Sequence, residues 1–306
     1  MILCDKCDKE AIIKQDYSGS YLCKDHFHES VESKIKKHIR KNYSINDGEK
    51  IGIALSGGKD SIVVLHILND IFGEWKDLEL VSLTIDEGIS GYREEAINFA
   101  KKDSKKLSIK NHIFSFKEEI GYSLDGIGEK VGKEKTCRYC GIIRRWLLNK
   151  KAKELDLDKI AVGHNLDDES QSALMNFLRG ETERLETLDT DTSYKKGFVP
   201  RIKPLREIPE KEVGLYAKTR KDMNAHFASC PYSDWALRGE IRDILNNYEK
   251  NHPGAKYSIL RGVEKTAPRI KEVTESANLD ECKLCGEPSN NKICQACKLR
   301  RKLRKK

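Results

Sequence analysis

Short apolar runs alternate with longer apolar segments of helical spacing through the middle of the chain. Residues 50–55, 80–85 and 159–163 are apolar runs of strand length, and each is followed by a polar turn. After the first of these turns, residues 62–68 are almost entirely apolar and predict a buried helix. Gly73 closes that helix and suits the C′ position.

A second helix is predicted after the third strand, because apolar residues recur there at helical spacing as far as Gly180. The residues expected on its apolar face are Leu166, Leu174, Met175, Phe177 and Leu178, of which Met175 and Phe177 are expected in the core. Strands alternating with helices indicate an α/β fold with a doubly wound, mostly parallel sheet. Ligands of such a sheet bind outside the carboxyl ends of the strands.

Composition adds the class of protein and its expected organisation. The 306 residues are 38% hydrophobic and 35% charged, and no apolar run approaches the ~20 residues that a membrane span needs. The first residues do not resemble a signal peptide, so a cytoplasmic enzyme without a membrane partner is expected. Residues 1–30 and 276–300 are predicted to be small modules around a catalytic domain at 31–275, with a basic tail at 301–306.

Seven of the ten cysteines, together with one histidine, form two sets with metal-ligand spacing. The first set reads C-x2-C-x15-C-x2-H and the second C-x2-C-x8-C-x2-C. Each can close a tetrahedron around zinc, and a metal would supply folding energy that such short segments lack. The predicted zinc ligands are Cys4, Cys7, Cys23 and His26 at the N-terminal end, and Cys282, Cys285, Cys294 and Cys297 at the C-terminal end.

Three cysteines remain, namely Cys137, Cys140 and Cys230. Three thiols are one short of a closed zinc site, but they could hold a [4Fe–4S] cluster by three irons and leave the fourth iron open. Alternatively, Cys137 and Cys140 form a catalytic dithiol or persulfide carrier, with Cys230 a bystander. The spacing alone leaves both alternatives open.

The turn after the first strand, S-G-G-K-D-S at residues 56–61, has the character of a phosphate-binding loop. Two glycines let the backbone approach a phosphate, and the N-terminus of the following helix offers free N–H groups. It is not a Walker A loop, because Asp60 stands where that motif requires Ser or Thr. Asp86, Gly163 and Asp168 also follow predicted strands, so they are candidates for the same site.

Basic residues are concentrated in two places. The formal net charge is +8, and seven cationic side chains lie in the last nine residues, which are expected to form a flexible tail. A second basic stretch occupies residues 34–41. Because both adjoin the zinc-type modules, a polyanionic partner such as RNA is expected, although solvated surface charge would give the same pattern.

The order of these motifs resembles one known family. S-G-G-K-D-S is the signature of PP-loop ATP pyrophosphatases, which cleave ATP between the α and β phosphates. Together with D-E-G-I-S-G-Y-R, C-R-Y-C-G, G-H-N-L-D-D-E, C-P-Y and the two terminal knuckles, it resembles the 2-thiouridine-forming tRNA sulfurtransferases of archaea, thermophilic bacteria and the eukaryotic cytosol. The resemblance spans essentially the whole chain.

The resemblance implies the following ligands and roles. Magnesium would bridge the phosphates with help from Asp60 and Asp168, and Lys59 and Arg144 would neutralise developing phosphate charge. A uridine of tRNA would be adenylated at its 2-oxygen, and sulfur would reach C2 from a hydrosulfide on the open iron of the cluster held by Cys137, Cys140 and Cys230. The residues implied to bind ATP are Ala54, Leu55, Ser56, Gly57, Gly58, Lys59, Asp60, Ser61, Ile85, Arg144 and Gly163.

Several alternatives stay open on sequence grounds. The target is uridine 34 or uridine 54, with 34 favoured, and the sulfur donor is sulfide or a thiocarboxylated ubiquitin-like protein. The oligomeric state cannot be deduced, although homodimers are common among relatives. Tyr139 and Trp146 could stack on a flipped base, but core packing is the more ordinary role. A PP-loop enzyme of the amidotransferase type and a non-catalytic, zinc-stapled RNA-binding protein are the rival functions.

Overall fold

The protein is described here by a computed structural model that covers residues 2–188, 197–233, 238–273 and 279–305. The N-terminal module consists of two short antiparallel hairpins. They are β1 (Leu3–Cys4) with β2 (Cys7–Glu10), and β3 (Ile13–Gln15) with β4 (Ser20–Leu22). Helix α1 (Lys24–Asn42) follows at once.

The described part of residues 50–273 alternates strands and helices as the apolar pattern predicts. Its elements are β5 (Lys50–Ala54), α2 (Lys59–Phe72), β6 (Glu79–Asp86), α3 (Arg93–Lys106), β7 (Lys110–Ser115), α4 (Phe116–Ile120), α5 (Leu124–Val131), α6 (Lys133–Glu154), β8 (Lys159–Ala161), α7 (Leu166–Leu178), a 3-10 helix (Thr182–Leu188), β9 (Arg201–Ile202), α8 (Glu210–Thr219), α9 (Arg238–Asn251) and α10 (Ala255–Val273). Two hydrophobic clusters pack against the sheet, one containing Ile51 and Ile53 with α2, the other Val81 and Leu83 with α5 and α6.

The central sheet has five parallel strands in the order β7-β6-β5-β8-β9. Strand β5 lies in the middle, with Ala54 opposite Leu83 of β6 and Ile53 opposite Ala161 of β8. The chain leaves β5 towards β6 and later returns on its other side as β8, so the carboxyl end of β5 borders a topological switch point. A crevice for ligands forms at such a point. The predicted fold class is confirmed.

Helix α1 joins the N-terminal module to the catalytic region. Its buried stripe repeats every four residues, at Phe27, Val31, Ile35 and Ile39, and belongs to the same hydrophobic cluster as α2. The predicted module boundary at residue 30 falls inside this helix. The predicted boundary at 275/276 lies outside the described residues, as do Met1 and Lys306.

The C-terminal end differs from the expected flexible tail. After β10 (Asp280–Glu281) and β11 (Pro288–Ser289) the chain forms helix α11 (Gln295–Lys305), which packs against α6. Leu299 and Leu303, spaced one turn apart, are buried there, while Arg301, Lys302 and Arg304 are exposed. The basic C-terminal segment is an amphipathic helix, so the prediction of a flexible tail was wrong.

Two local predictions were also wrong. Phe177 is 65% exposed rather than in the core and lies on the last turn of α7. Gly73 ends α2 in a right-handed conformation, so its lack of a side chain is not needed for a left-handed cap. Gly180, in contrast, follows α7 with φ +66° and closes it as predicted. Among the described residues, no helix is long and apolar enough to cross a membrane.

Candidate active site

The glycine loop connects β5 to α2 at the carboxyl edge of the sheet. Gly57 has φ +83°, and a Cβ there would lie 1.9 Å from the carbonyl oxygen of Ala96, so only glycine fits. The Ser61 hydroxyl accepts the Ser56 N–H at 3.1 Å and donates to the Gly58 carbonyl at 2.9 Å. These bonds hold the turn while Gly58 caps α2 without any side-chain bond to its first N–H groups. The loop therefore offers donors for phosphate.

Charged side chains surround the start of α2. Lys59 Nζ donates to Asp60 at 2.9 Å and to Glu210 at 3.0 Å. Burial opposes its charge, but these two carboxylates raise the pKa of Lys59. Asn165, the N-cap of α7, donates to the other oxygen of Asp60 at 3.0 Å. The ammonium group of Lys59 is therefore held by two carboxylates, and a bound polyphosphate would compete with them for it.

Asp60 and Asp168 form an acidic pair beside the loop. Burial raises the pKa of both carboxyls, and the charge of Asp168 raises that of Asp60 further. Arg238 donates to Asp168 at 2.9 Å, which opposes that rise. Two half-buried carboxylates whose charged forms are disfavoured by burial are suited to a divalent cation such as magnesium, which prefers oxygen ligands.

Arg93, the first residue of α3, connects two strand ends. Its role was not predicted from the sequence. Its guanidinium donates to the carbonyls of Ser56 at 2.8 Å and Ile85 at 2.6 Å, and its Nε lies 2.7 Å from Glu87. Arg93 and Glu87 are each 5% exposed. The pairing of Arg93 with Glu87 could have been predicted, because an arginine and a glutamate in one strand-end motif pair when both are buried. The bond from Arg93 to the Ser56 carbonyl could not, because the two residues are distant in sequence.

Glu87 also contacts Arg144, which links the glycine loop to the cysteines. Its second oxygen lies 3.5 Å from Arg144 NH1. Arg144 is half exposed and lies on α6 one turn beyond Cys140, as the sequence predicts. Although burial opposes it, Cys140 and Glu87 raise the pKa of Arg144. A chain of ion pairs therefore runs from the loop carbonyl through Arg93 and Glu87 to the helix that bears two of the thiols.

The three remaining thiols come together at the N-terminal part of α6. Cys137 donates to the Tyr232 carbonyl at 3.0 Å, which brings the segment containing Cys230 against this helix. Burial raises the pKa of all three thiols, that of Cys140 to about 12, and Cys230 raises the pKa of Cys137 and Cys140 further. The three half-buried thiols thus lie close enough to influence one another's ionisation.

A second connection joins the glycine loop to the thiols from the other side. The His226 N–H donates to the Gly57 carbonyl at 2.9 Å, and His226 is bridged to Gly58 as in a parallel pair. His226 precedes Cys230 by four residues. The segment is anchored upstream as well, since buried Asp103 accepts bonds from the Asn224 N–H at 2.9 Å and the Asn224 side chain at 2.6 Å. This anchoring was not predicted from the sequence.

The other residues implied to bind ATP lie at or beneath the same strand ends. Ala54 is half-buried, Leu55 and Ile85 are buried, and Gly163 lies so close to the loop that a Cβ would be 3.1 Å from the Asp60 carbonyl carbon and the Ser61 nitrogen. Tyr139 and Trp146 are both 8% exposed and pack in the core, so the structure favours their ordinary role over base stacking.

Both terminal ligand sets converge. In each set the four ligand atoms lie within 4.8 Å of one another. Cys7 and Cys23 are separated by 3.7 Å between sulfurs, as are Cys285 and Cys294. Four thiolates at about 2.3 Å from one zinc ion stand about 3.8 Å apart, so both sets fit a tetrahedral zinc site.

Comparisons with known proteins agree with this architecture. A PP-loop domain matches residues 27–245, and the N-terminal LIM domain of 2-thiouridine synthetase TtuA matches residues 3–28. The chain is 41% identical to the tRNA 2-thiolation protein NcsA of Haloferax volcanii, over 97% of each chain. The chain belongs to the PP-loop family of tRNA 2-thiolation sulfurtransferases.

Further members of this family come from other archaea. The chain is 36% identical to the tRNA-5-methyluridine(54) 2-sulfurtransferase of Pyrococcus horikoshii, over 96% of this chain and 92% of that one. The solved structure of the U34-tRNA thiolase NcsA from Methanococcus maripaludis, with its [4Fe–4S] cluster, matches with a TM-score of 0.83 and 36% identity. That match covers 99% of this chain and 97% of the other.

Proposed function

We propose that this sulfurtransferase uses ATP to adenylate a tRNA uridine and then transfers sulfur to C2, with uridine 34 the favoured target and uridine 54 the second. Family membership supports tRNA 2-thiolation. The choice of position draws on relatives, since the Methanococcus maripaludis thiolase is named for U34 and the Pyrococcus horikoshii enzyme for position 54. Localisation in the cytoplasm is also proposed from a relative, one that is named a cytoplasmic tRNA 2-thiolation protein.

One observation carries the proposal: the glycine loop and the three thiols are connected at one edge of the sheet. Arg93, Glu87 and Arg144 link them through successive ion pairs and hydrogen bonds, and His226 links them through the segment that leads to Cys230. A uridine activated by ATP at this loop would therefore lie next to the thiols, and the adenylate need not leave the site before sulfur arrives.

In the adenylation step the uridine 2-oxygen attacks the α-phosphate of ATP, and pyrophosphate leaves. The loop N–H groups at the start of α2 would hold the phosphates. Lys59 and Arg144 would neutralise charge on the phosphate oxygens, and Asp60 and Asp168 would hold magnesium, which lowers the charge repulsion further. Because Lys59 is paired with Asp60 and Glu210, phosphate binding would redistribute its contacts rather than bring in a distant group.

The donor set of Cys137, Cys140 and Cys230 fits an iron–sulfur cluster better than a single ion. Within the described ranges, the ligand sets that fall within 4.8 Å are the two terminal ones, so the three thiols stand further apart than one zinc ion requires. In a cubane cluster each thiolate binds a different iron, which suits wider spacing. A bound cluster would supply an iron with an open position for hydrosulfide. The chain's own contribution is to orient the thiols and to keep Arg144 beside them.

The remaining partners follow from charge and from the ligand sets. Zinc would stabilise both terminal modules, in keeping with the division of the chain into an N-terminal module, a catalytic domain and a C-terminal module. Arg145 and Arg201 lie near Arg144. Burial and the neighbouring arginines lower the pKa of Arg145, and they lower the pKa of Arg201 to about 10. Such crowding of cations favours tRNA phosphates as the partner. Sulfide or a thiocarboxylated protein remains the proposed donor, and a homodimer the proposed assembly.

The test is nucleoside mass spectrometry of unmodified tRNA after incubation with the anaerobically prepared holoenzyme, ATP, magnesium and sulfide. We expect 2-thiouridine at position 34, and none with Cys137→Ala, Cys140→Ala or Cys230→Ala, while each variant still binds ATP. Ser229→Ala, which changes an exposed neighbour of Cys230, is the matched control and should retain activity. Full activity of an iron-free preparation would rule out the cluster as the sulfur carrier, and ATP cleavage without thiolation would overturn the proposal.

A further inference from the structure

Tyr92 lies at the beginning of α3, at the point where the chain leaves the β6 end. It is the N-cap residue of that helix, and its backbone N–H donates to the Ile89 carbonyl at 3.3 Å. Its side chain is half-buried. The ring packs edge-on against the His226 imidazole, with centroids 5.0 Å apart and an interplanar angle of 65°. The ring is therefore braced by neighbouring groups yet retains exposed surface.

The neighbours of this ring place it between the glycine loop and the thiols. His226 donates its backbone N–H to Gly57 and leads to Cys230, while the adjacent Arg93 donates to Ser56. Tyr92, Cys140 and Cys230 pack against the same hydrophobic cluster. Burial and the nearby Cys230 thiol raise the pKa of Tyr92. The ring thus borders the space that an adenylated base would have to occupy.

The phenol of Tyr92 is not used by the fold. Among the residues that the structure describes, none forms a hydrogen bond with its hydroxyl. Other partly buried tyrosines do have partners: Tyr216 donates to Glu32 at 2.7 Å and Tyr232 to Asp125 at 2.7 Å. Tyr139 and Trp146 are enclosed in the core, and the half-buried Tyr232 is tied by its hydroxyl to Asp125. The half-buried ring of Tyr92 is instead braced by His226 and keeps exposed surface.

We propose that the ring of Tyr92 is the platform on which the target uracil stacks. An enzyme that acts on a base has to take it out of its stack, and stacking on an aromatic side chain offsets part of that cost. The proposal rests on the proposed tRNA thiolation. Tyr92 holds the base between the phosphate loop and the thiols, and it does so through its ring rather than its hydroxyl.

The test compares three unmodified tRNA transcripts: one intact, one abasic at position 34 and one abasic at position 54. Binding to the holoenzyme without ATP is measured by fluorescence anisotropy. The wild-type protein should bind one of the two abasic tRNAs about tenfold more weakly than the intact tRNA, since loss of one stacked base costs on that order. Tyr92→Ala should bind the intact and that abasic tRNA equally.

Two variants keep this test interpretable. Tyr92→Phe retains the ring and should keep the base-dependent difference within about twofold. Tyr248→Ala, which removes an exposed tyrosine on α9 packed against His252, should keep it fully. A tenfold difference that persists in Tyr92→Ala, or its absence for both abasic tRNAs in the wild type, overturns the proposal. Failure of the wild-type protein to form 2-thiouridine would instead overturn the proposed function, which is scored separately by mass spectrometry.

Discussion

Arg93→Lys is the substitution that most sharply tests how the glycine loop is held. The change keeps the positive charge but replaces a planar group with five donors by a single ammonium. Arg93 donates to two carbonyls, those of Ser56 and Ile85, and pairs with Glu87 through a third nitrogen. These acceptors lie around a guanidinium, so one ammonium can serve about one of them.

The expected loss follows from the number of bonds. A hydrogen bond to a charged group contributes about 1.5–3 kcal/mol, and a buried group left without its partner costs a similar amount. Arg93 makes two such hydrogen bonds and one ion pair, and losing two of these three contacts, with partial relaxation, should lower the free energy of unfolding by about 3 kcal/mol. Release of the Ser56 carbonyl also loosens the loop, so the affinity for ATP should fall by about tenfold, equivalent to about 1.4 kcal/mol.

The assay is guanidinium-induced unfolding of the nucleotide-free protein, with calorimetric titration of ATP. Arg242→Lys is the matched control, because Arg242 is exposed on α9. It should change the free energy of unfolding by no more than about 0.5 kcal/mol. If Arg93→Lys unfolds and binds ATP like the control, the contacts around Arg93 do not hold the loop, and the link from the loop to Arg144 loses its basis.

Two further predictions concern tRNA affinity and acid stability. Replacing Arg301, Lys302 and Arg304 of α11 together by Ala should leave the fold intact and reduce the salt dependence of tRNA binding by about one log–log unit per lost phosphate contact; an unchanged slope in a filter-binding series would assign these charges to solvent. Asp103→Asn should destabilise the protein at pH 7. Burial opposes the charge of Asp103, but hydrogen bonds from His66 and Asn224 outweigh it and lower its pKa. The contribution of the Asp103 carboxylate to stability is therefore fully present above the unfolded pKa of about 3.9 and lost as pH falls through the lower folded value. Between pH 8 and pH 3, the difference in melting temperature between wild type and Asp103→Asn should stay constant and narrow only below about pH 4. A difference that narrows between pH 8 and pH 5 would contradict this assignment.

Much of the fold and the local chemistry could be predicted because both depend on short-range pattern. Strand, glycine turn and helix lie next to one another in sequence, so the glycine loop and the helix over residues 62–68 were predictable from apolar spacing and glycine placement. The structure begins that helix earlier, at Lys59. The two terminal ligand sets were predictable for the same reason, since the two ligands of one knuckle have only two residues between them.

The remaining features depend on contacts between distant segments or on the extent of neighbouring cover. Arg93 meets the Ser56 carbonyl across two strand ends, and Asp103 fixes a segment 121 residues later. Phe177 carries the right periodicity for a core position but is 65% exposed, since helical spacing does not show how completely neighbouring elements cover a helix. In α11, Leu299 and Leu303 lie one turn apart among many cations, and this amphipathic pattern is not visible in composition alone.

The central claim is that ATP and a three-cysteine iron–sulfur centre occupy one cleft at the carboxyl edge of the sheet. Crystals of the anaerobic holoenzyme with a non-hydrolysable ATP analogue, measured at the iron absorption edge, test it directly. The account predicts an iron peak bonded to Cys137, Cys140 and Cys230 on the same side of the sheet as phosphates bound at residues 56–61. Iron absent from these thiols, or a nucleotide on the opposite side of the sheet, would contradict it.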